Sequence, residues 1–117
     1  MKQLNKEAYR VEPNNLIYDY LRPIDTKNVV VTLPGKSAGI LKRGQVIDFD
    51  DGNYAPHAES GTTNCLVTDD VAYTETDTEI VVSVYINGNY RKSKVITEVE
   101  LTETDMDNLR IHGIVLK

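Results

Sequence analysis

The chain has no tryptophan, one cysteine, one phenylalanine and two histidines in 117 residues. A single thiol, Cys65, excludes an intrachain disulfide. It points to synthesis in a reducing cytoplasm, where thiols persist. No apolar run is long enough to cross a bilayer as a helix. The opening Met1-Lys2-Gln3-Leu4-Asn5-Lys6 lacks the apolar stretch of a secretory signal. From Gln45 to Tyr90 there is neither lysine nor arginine, while Asp48, Asp50, Asp51, Glu59, Asp69, Asp70, Glu75, Asp77 and Glu79 all fall there. The net charge is -5 and the pI ≈ 4.9. Non-specific nucleic-acid binding and docking on anionic lipid both need a cationic surface, so neither partner is expected.

Chemistry-bearing constellations are also missing. His57 and Cys65 fit no zinc spacing, and no second cysteine exists. Asp48-Phe49-Asp50-Asp51-Gly52 resembles a calcium loop for five residues, then fails: the glycine comes one position early and no closing glutamate follows. Asp69-Asp70 is at most a weak cation contact and reads more simply as turn chemistry. No phosphate-cradling glycine loop and no G-x-S-x-G elbow is present. The reading is a non-enzyme with no cofactor and no metal. A hydrolase using Cys65 and His57 stands as a rival, because such pairs assemble in space. A lone cysteine in a β-rich segment is more often a small buried hydrophobe.

With 40% hydrophobic and 26% charged residues, the chain has the balance of one ordinary globular domain. Val29-Val30-Val31-Thr32-Leu33 is a β-branched strand closed by Pro34-Gly35. Gln45-Val46-Ile47-Asp48-Phe49 leads into Asp51-Gly52, a two-residue hairpin signal that sets Phe49 opposite Tyr54. Thr78 to Ile86 is the clearest strand, with Ile80, Val82, Val84 and Ile86 on the core face. Asn87-Gly88 predicts a second hairpin with Tyr85 opposite Tyr90. Cys65-Leu66-Val67 and Val71-Ala72-Tyr73 are shorter strand candidates. Thr102 as N-cap, Asp105 as its capping-box partner and Gly113 as C-cap predict a helix over Glu103–His112. Ile114-Val115-Leu116 follows as a terminal strand. The fold class is therefore mainly β, a small barrel or meander with one short C-terminal helix, α+β by strict count.

Two segments stand apart. Residues 1–23 are polar and aperiodic around an apolar island of Leu16, Ile17, Tyr18, Tyr20 and Leu21. The segment reads either as a frayed terminus or as a flexible arm that orders on a partner; the arm is the expectation taken forward, followed by a compact domain over 24–117. Arg91, Lys92 and Lys94 form a basic cluster directly after the second predicted hairpin. Its plain reading is a charge-protected edge strand. Its functional reading is a contact patch for the acidic middle of a neighbouring copy, which favours head-to-tail association.

Taken in order, these segments resemble a known family. Leu41-Lys42-Arg43-Gly44-Gln45-Val46-Ile47 and Gly52-Asn53-Tyr54-Ala55-Pro56 look like the opening of lambda-type bacteriophage head decoration proteins, an L-x-R-G-x-(V/I)-(L/I) strand with a G-x-(Y/L)-x-P return. Asn64 to Val71 is similar to that family's strand ending in A-E-D-V, with Thr68 in place of the usual alanine. Thr78 to Arg91 resembles its V-x-V-Y-x-x-G-x-F hairpin, with Tyr90 for phenylalanine. Asn108 to Lys117 resembles its L-R-x-x-G-I-x-(L/V)-K ending. The likeness covers about residues 28–117, and its specificity lies in the order of the motifs. It implies a compact β-fold, a homotrimer at three-fold and quasi-three-fold sites of an expanded capsid, and an N-terminal arm ordered against the major capsid protein. The location implied is the outer surface of the virion. The alternative is a carbohydrate- or surface-binding β-domain on a virion, using some of the seven tyrosines as stacking faces.

Overall fold

A computed structural model describes residues 15–33, 35 and 37–117. Most of the expected arm, residues 1–14, lies outside the described residues, as do Pro34 and Lys36. The protein is a small β-barrel with one short helix near its C-terminus.

The barrel is closed and has the strand order β2-β5-β4-β6-β8. These are β2 (Thr26–Thr32), β4 (Val46–Asp50), β5 (Asn53–Pro56), β6 (Thr63–Val67) and β8 (Glu79–Tyr85). Strand β2 closes it by pairing antiparallel with β8 along its whole length and parallel with β5 at Val31↔Tyr54. The alternation read from sequence sets the inside: Val29, Val31, Ile47, Cys65, Val67, Val82 and Val84 are buried, whereas Val30 and Val81 face outward. The Asp51-Gly52 hairpin forms as expected, with φ of 51° and 80° at the two turn residues. Phe49 pairs with Tyr54, and their rings lie 4.6 Å apart.

Outside the barrel, β3 (Gly39–Leu41) and β7 (Val71–Tyr73) form a two-stranded ribbon. A second sheet holds β1 (Ile17–Asp19), β9 (Gly88–Tyr90) and β10 (Ile114–Leu116), in the order β1-β9-β10. Between β9 and β10 lie a 3₁₀ turn at Lys92–Lys94 and the helix α1 (Glu103–Ile111). The helix starts on the predicted capping box: Asp105 N–H donates to Thr102 Oγ1 at 3.1 Å, and Thr102 N–H donates to the Asp105 carboxylate at 2.9 Å. It ends one residue before the predicted limit, with His112 as C-cap and Gly113 at φ 98°. Leu109 is its fully buried anchor.

The second predicted hairpin does not form. Strand β9 makes no ladder with β8, because both edges of β8 are already taken, by β2 over its whole length and by β6 at Leu66↔Tyr85 and Val67↔Val84. The chain instead turns away at Gly88, whose φ of 125° is a conformation open in practice only to glycine. Asn87 fixes the corner: its side-chain oxygen accepts from Asp25 N–H at 2.6 Å and its amide donates to the Asp25 carboxylate at 2.8 Å. Tyr85 and Tyr90 still meet, ring centroids 5.1 Å apart, as a contact between the barrel and the second sheet.

A β-carbon at Gly88 would sit 2.9 Å from the Tyr90 hydroxyl and 3.1 Å from Ile24, whereas one at Gly52 would meet nothing within 4 Å. Gly88→Ala is expected to destabilise by about 2–3 kcal/mol and Gly52→Ala by about 1 kcal/mol, compared by urea unfolding. Equal costs would contradict the role given to Gly88.

Candidate interaction surface

The two segments that stood apart in the sequence come together through Arg91. Its backbone N–H donates to the Leu16 carbonyl at 2.7 Å. Its guanidinium donates to the carbonyls on either side, Asn15 at 3.0 Å and Ile17 at 2.8 Å, and sits 5.8 Å from the Tyr18 ring centroid. One residue thus holds three consecutive carbonyls. Both side-chain bonds leave the terminal nitrogen Nη1, while the flat guanidinium lies by the Tyr18 ring, and a lysine ammonium does not reproduce that planar contact.

This changes the roles of the expected arm residues. Leu16 is 2% exposed and belongs to the core, and Ile17 pairs with Tyr90 in the second sheet. The boundary expected at Pro23 therefore does not match the described residues, which are fastened to the body from Leu16. Leu16 is held because it fills apolar space beside Gly44, where a β-carbon would lie 3.2 Å from its Cδ1. Tyr18, Tyr20 and Leu21 are 49%, 77% and 87% exposed. Asp19 ties their turn down: it accepts from Asn89 Nδ2 at 2.8 Å and from Leu21 N–H at 3.1 Å, and the Asn89 bond holds its carboxyl below the ordinary range.

Tyr18, Arg91, Lys92, Ser93 and Lys117 line an open groove of ≈ 580 Å³. Lys92, Lys94 and Lys117 are exposed. Among the described residues no ion pair engages them or Arg91. The predicted cluster of Arg91, Lys92 and Lys94 thus divides: Arg91 is a structural clamp, Lys92 lines the groove, and Lys94 is exposed on the same turn. Lys117 was not anticipated; only the parallel pairing of β10 with β9 brings it there.

Other candidates resolve differently. Asp69-Asp70 has a cation, Arg43: its guanidinium donates to Asp69 at 3.1 Å and to the Thr68 carbonyl at 3.1 Å, and its backbone N–H donates to Asp70 at 2.8 Å. Among the described residues, no group of three His, Cys, Asp or Glu side chains is placed to hold a metal ion. Cys65 is fully buried on the inner barrel wall, and burial pushes its thiol up from 9.0 to about 12. Such a thiol is a poor nucleophile at neutral pH.

His57 has other partners, which the sequence did not announce. Its Nδ1 lies 2.7 Å from Asp48, and its Nε2 lies 3.3 Å from the Asp105 carboxylate, within ion-pair reach but outside hydrogen-bond geometry. The second Asp48 oxygen accepts from Ala58 N–H at 2.9 Å, and Thr63 Oγ1 donates to the Asp105 carbonyl at 2.5 Å. A β-carbon at Gly61 would overlap the Asp48 carboxylate, so that site requires glycine. This buried Asp48–His57–Asp105 line joins β4, the loop after β5 and the first turn of α1. Its members lie nine and 48 residues apart in the chain, and no spacing rule connects them.

No protein-family model matches the chain, and no curated protein matches it.

Arg91→Ala is expected to raise amide exchange at residues 15–19 by about 10-fold or more, leaving β8 within about 2-fold, and Arg91→Lys is expected not to restore it. Uniform loosening would contradict a local clamp. For Cys65, whose folded pKa is raised, stability is fully present below pH 9.0 and is lost between 9.0 and about 12, because the unfolded chain gives up its proton first. The unfolding free energy from urea titrations should fall across that window by about 1.4 kcal/mol per pH unit at most, and Cys65→Ala should flatten the fall. The native thiol should also resist alkylation at pH 8 that goes to completion in urea.

Proposed function

We propose that the protein is a tailed-phage capsid decoration protein, which binds the outside of the expanded shell as trimers at three-fold and quasi-three-fold sites and clamps neighbouring capsomers. The observation that carries this reading is the ordered run of family-like motifs from about residue 28 to 117. The motifs fall on consecutive elements from β3 to β10, and their turn residues occupy the corners that need them: Gly44, Gly52, Gly88 and Gly113 all have positive φ. The capsid partner in this reading is the major capsid protein.

The contact proposed is the turn after β1. Tyr18, Tyr20 and Leu21 present exposed aromatic and apolar side chains, and tyrosine is among the residues that carry most binding energy at interfaces. Each copy binds modestly, because fixing the exposed Tyr20 and Leu21 side chains on a partner costs entropy. A trimer engages three such contacts at once, and avidity makes the clamp tight.

Cosedimentation with expanded shells assembled from the cognate major capsid protein tests the reading. The full chain is expected to bind expanded shells and not unexpanded ones. A Tyr18→Ser, Tyr20→Ser, Leu21→Ser triple variant should stay folded and bind at least about 10-fold more weakly, a loss near 1.4 kcal/mol. Failure of the full chain to bind expanded shells, or binding to a glycan array instead, overturns the capsid reading. Undiminished binding by the triple variant overturns the assignment of this surface.

A further inference from the structure

The molecule carries two surface features of opposite charge. One is the groove of Tyr18, Arg91, Lys92, Ser93 and Lys117, which no acidic side chain lines. The other is the tip of the β4–β5 hairpin. Asp50, Asp51, Gly52 and Asn53 are all exposed there, beside a depression lined by Asp48, Asp50, Asp51, Ser60 and Gly61 that no lysine or arginine enters. The tip is a stiff finger. Its turn has the two positive φ angles of a tight hairpin, the Phe49–Tyr54 ring pair backs it, and Asp50 accepts from Thr62 N–H at 3.0 Å. Among the described residues the Asp51 carboxylate makes no hydrogen bond or ion pair.

These features do not neutralise each other within one chain. Val46, at the start of β4, donates to the Ile96 carbonyl, two residues beyond the basic turn at Lys92–Lys94. Asp50 lies at the other end of that strand, about 13 Å further on at roughly 3.3 Å per residue. The Debye length at physiological salt is about 8 Å, so attraction across that span is largely screened. Each feature is thus left for a partner of opposite sign, and a second copy of the chain supplies both.

We propose that copies of this protein dock head to tail, with the Asp50-Asp51 hairpin tip of one copy seated in the Tyr18/Arg91/Lys92/Lys117 groove of the next. The contact joins two different patches, so it is heterologous and either closes into a ring or propagates. It deepens the capsid reading by naming the surfaces through which copies meet, and rests on that reading only for closure at three. Arg91 has its guanidinium committed to the Asn15 and Ile17 carbonyls, and Lys117 also acts on the Asp19 carboxylate, so Lys92 carries most of the free charge.

Sedimentation velocity of the full chain, with no capsid present, tests this at low salt and at about 1 M salt, where the Debye length falls to about 3 Å. Self-association is expected at low salt, weakened at least about 10-fold at high salt. Lys92→Glu and Asp50→Lys should each weaken it about 10-fold, and the two together in one chain should return it to within about 3-fold of the parent. Asp51→Asn, which keeps a residue tolerant of positive φ, should weaken it without disturbing the hairpin. A chain that stays monomeric at low salt, or associates equally well with Lys92→Glu and Asp51→Asn, overturns the docking. Association through these residues by a chain that ignores expanded shells would support the docking and overturn the capsid reading alone.

Discussion

The double pairing of β2 is the constraint on which the rest of the structure depends. By holding β8 on one side and β5 on the other, it turns an open meander into a closed barrel. Closure buries the inner row of valines and gives each of the five barrel strands a neighbour on both sides, β2 meeting β5 through the one pair Val31↔Tyr54. Anything following β8 must then find a place outside. Strand β9 does so by turning at Gly88 and recruiting β1 and β10 into a second sheet. The surface around Tyr18 and Lys117 exists because the barrel admits no sixth strand there.

That small sheet is held by polar fastenings as much as by apolar burial. Arg91 takes the three carbonyls of Asn15, Leu16 and Ile17, Asn89 donates to Asp19, and Lys117 N–H donates to the Tyr90 carbonyl at 2.7 Å. Such bonds each contribute about 1 kcal/mol net, while Leu16, Tyr90 and Ile114 supply the buried apolar contact. The Asp48–His57–Asp105 line performs the comparable task of tying the helix to the barrel. Both are polar joints between a closed barrel and an element that could not enter it.

What the sequence disclosed follows from how local its signals were. The Asp51-Gly52 hairpin, the Thr102–Asp105 capping box, the strand over Val29, Val30, Val31 and Thr32 and the Val82/Val84 face are set by residues within a few positions of one another, and all are present in the structure. The Asn87-Gly88 hairpin failed because its local chemistry was outranked by a distant event, the arrival of β2 at the edge β8 would have offered. The Tyr85–Tyr90 contact survived that failure, since a corner can bring two rings together as well as a ladder can. The placement of Leu16 was missed for a related reason. In a polar, aperiodic segment one leucine looks like part of a sticky arm, and only the three-dimensional position of Arg91 and Gly44 shows it to be a plug. The His57 constellation and the Lys117 contribution were invisible for the same reason: their partners come from far along the chain.

Charge segregation becomes intelligible in this light. The stretch from Gln45 to Tyr90 without a cation is nearly coextensive with barrel strands β4, β5, β6 and β8 and their connections. Its carboxylates are stationed where turns and loops need acceptors: Asp50 for Thr62, Asp77 for Thr74, Asp70 for Arg43. Among the described cations Lys27 lies on barrel strand β2, whereas Arg43 and Arg91 lie outside the barrel strands, where the Arg43 side chain joins the Thr68 carbonyl to Asp69 and the Arg91 side chain joins the Asn15 and Ile17 carbonyls. The carboxylates of that stretch thus finish turns, and these two arginines fasten what lies outside the barrel strands. A surface of mixed polarity follows from the fold before any partner is considered. Asp51 at one hairpin tip and Lys92 beside the second sheet are among the charges with no such structural task.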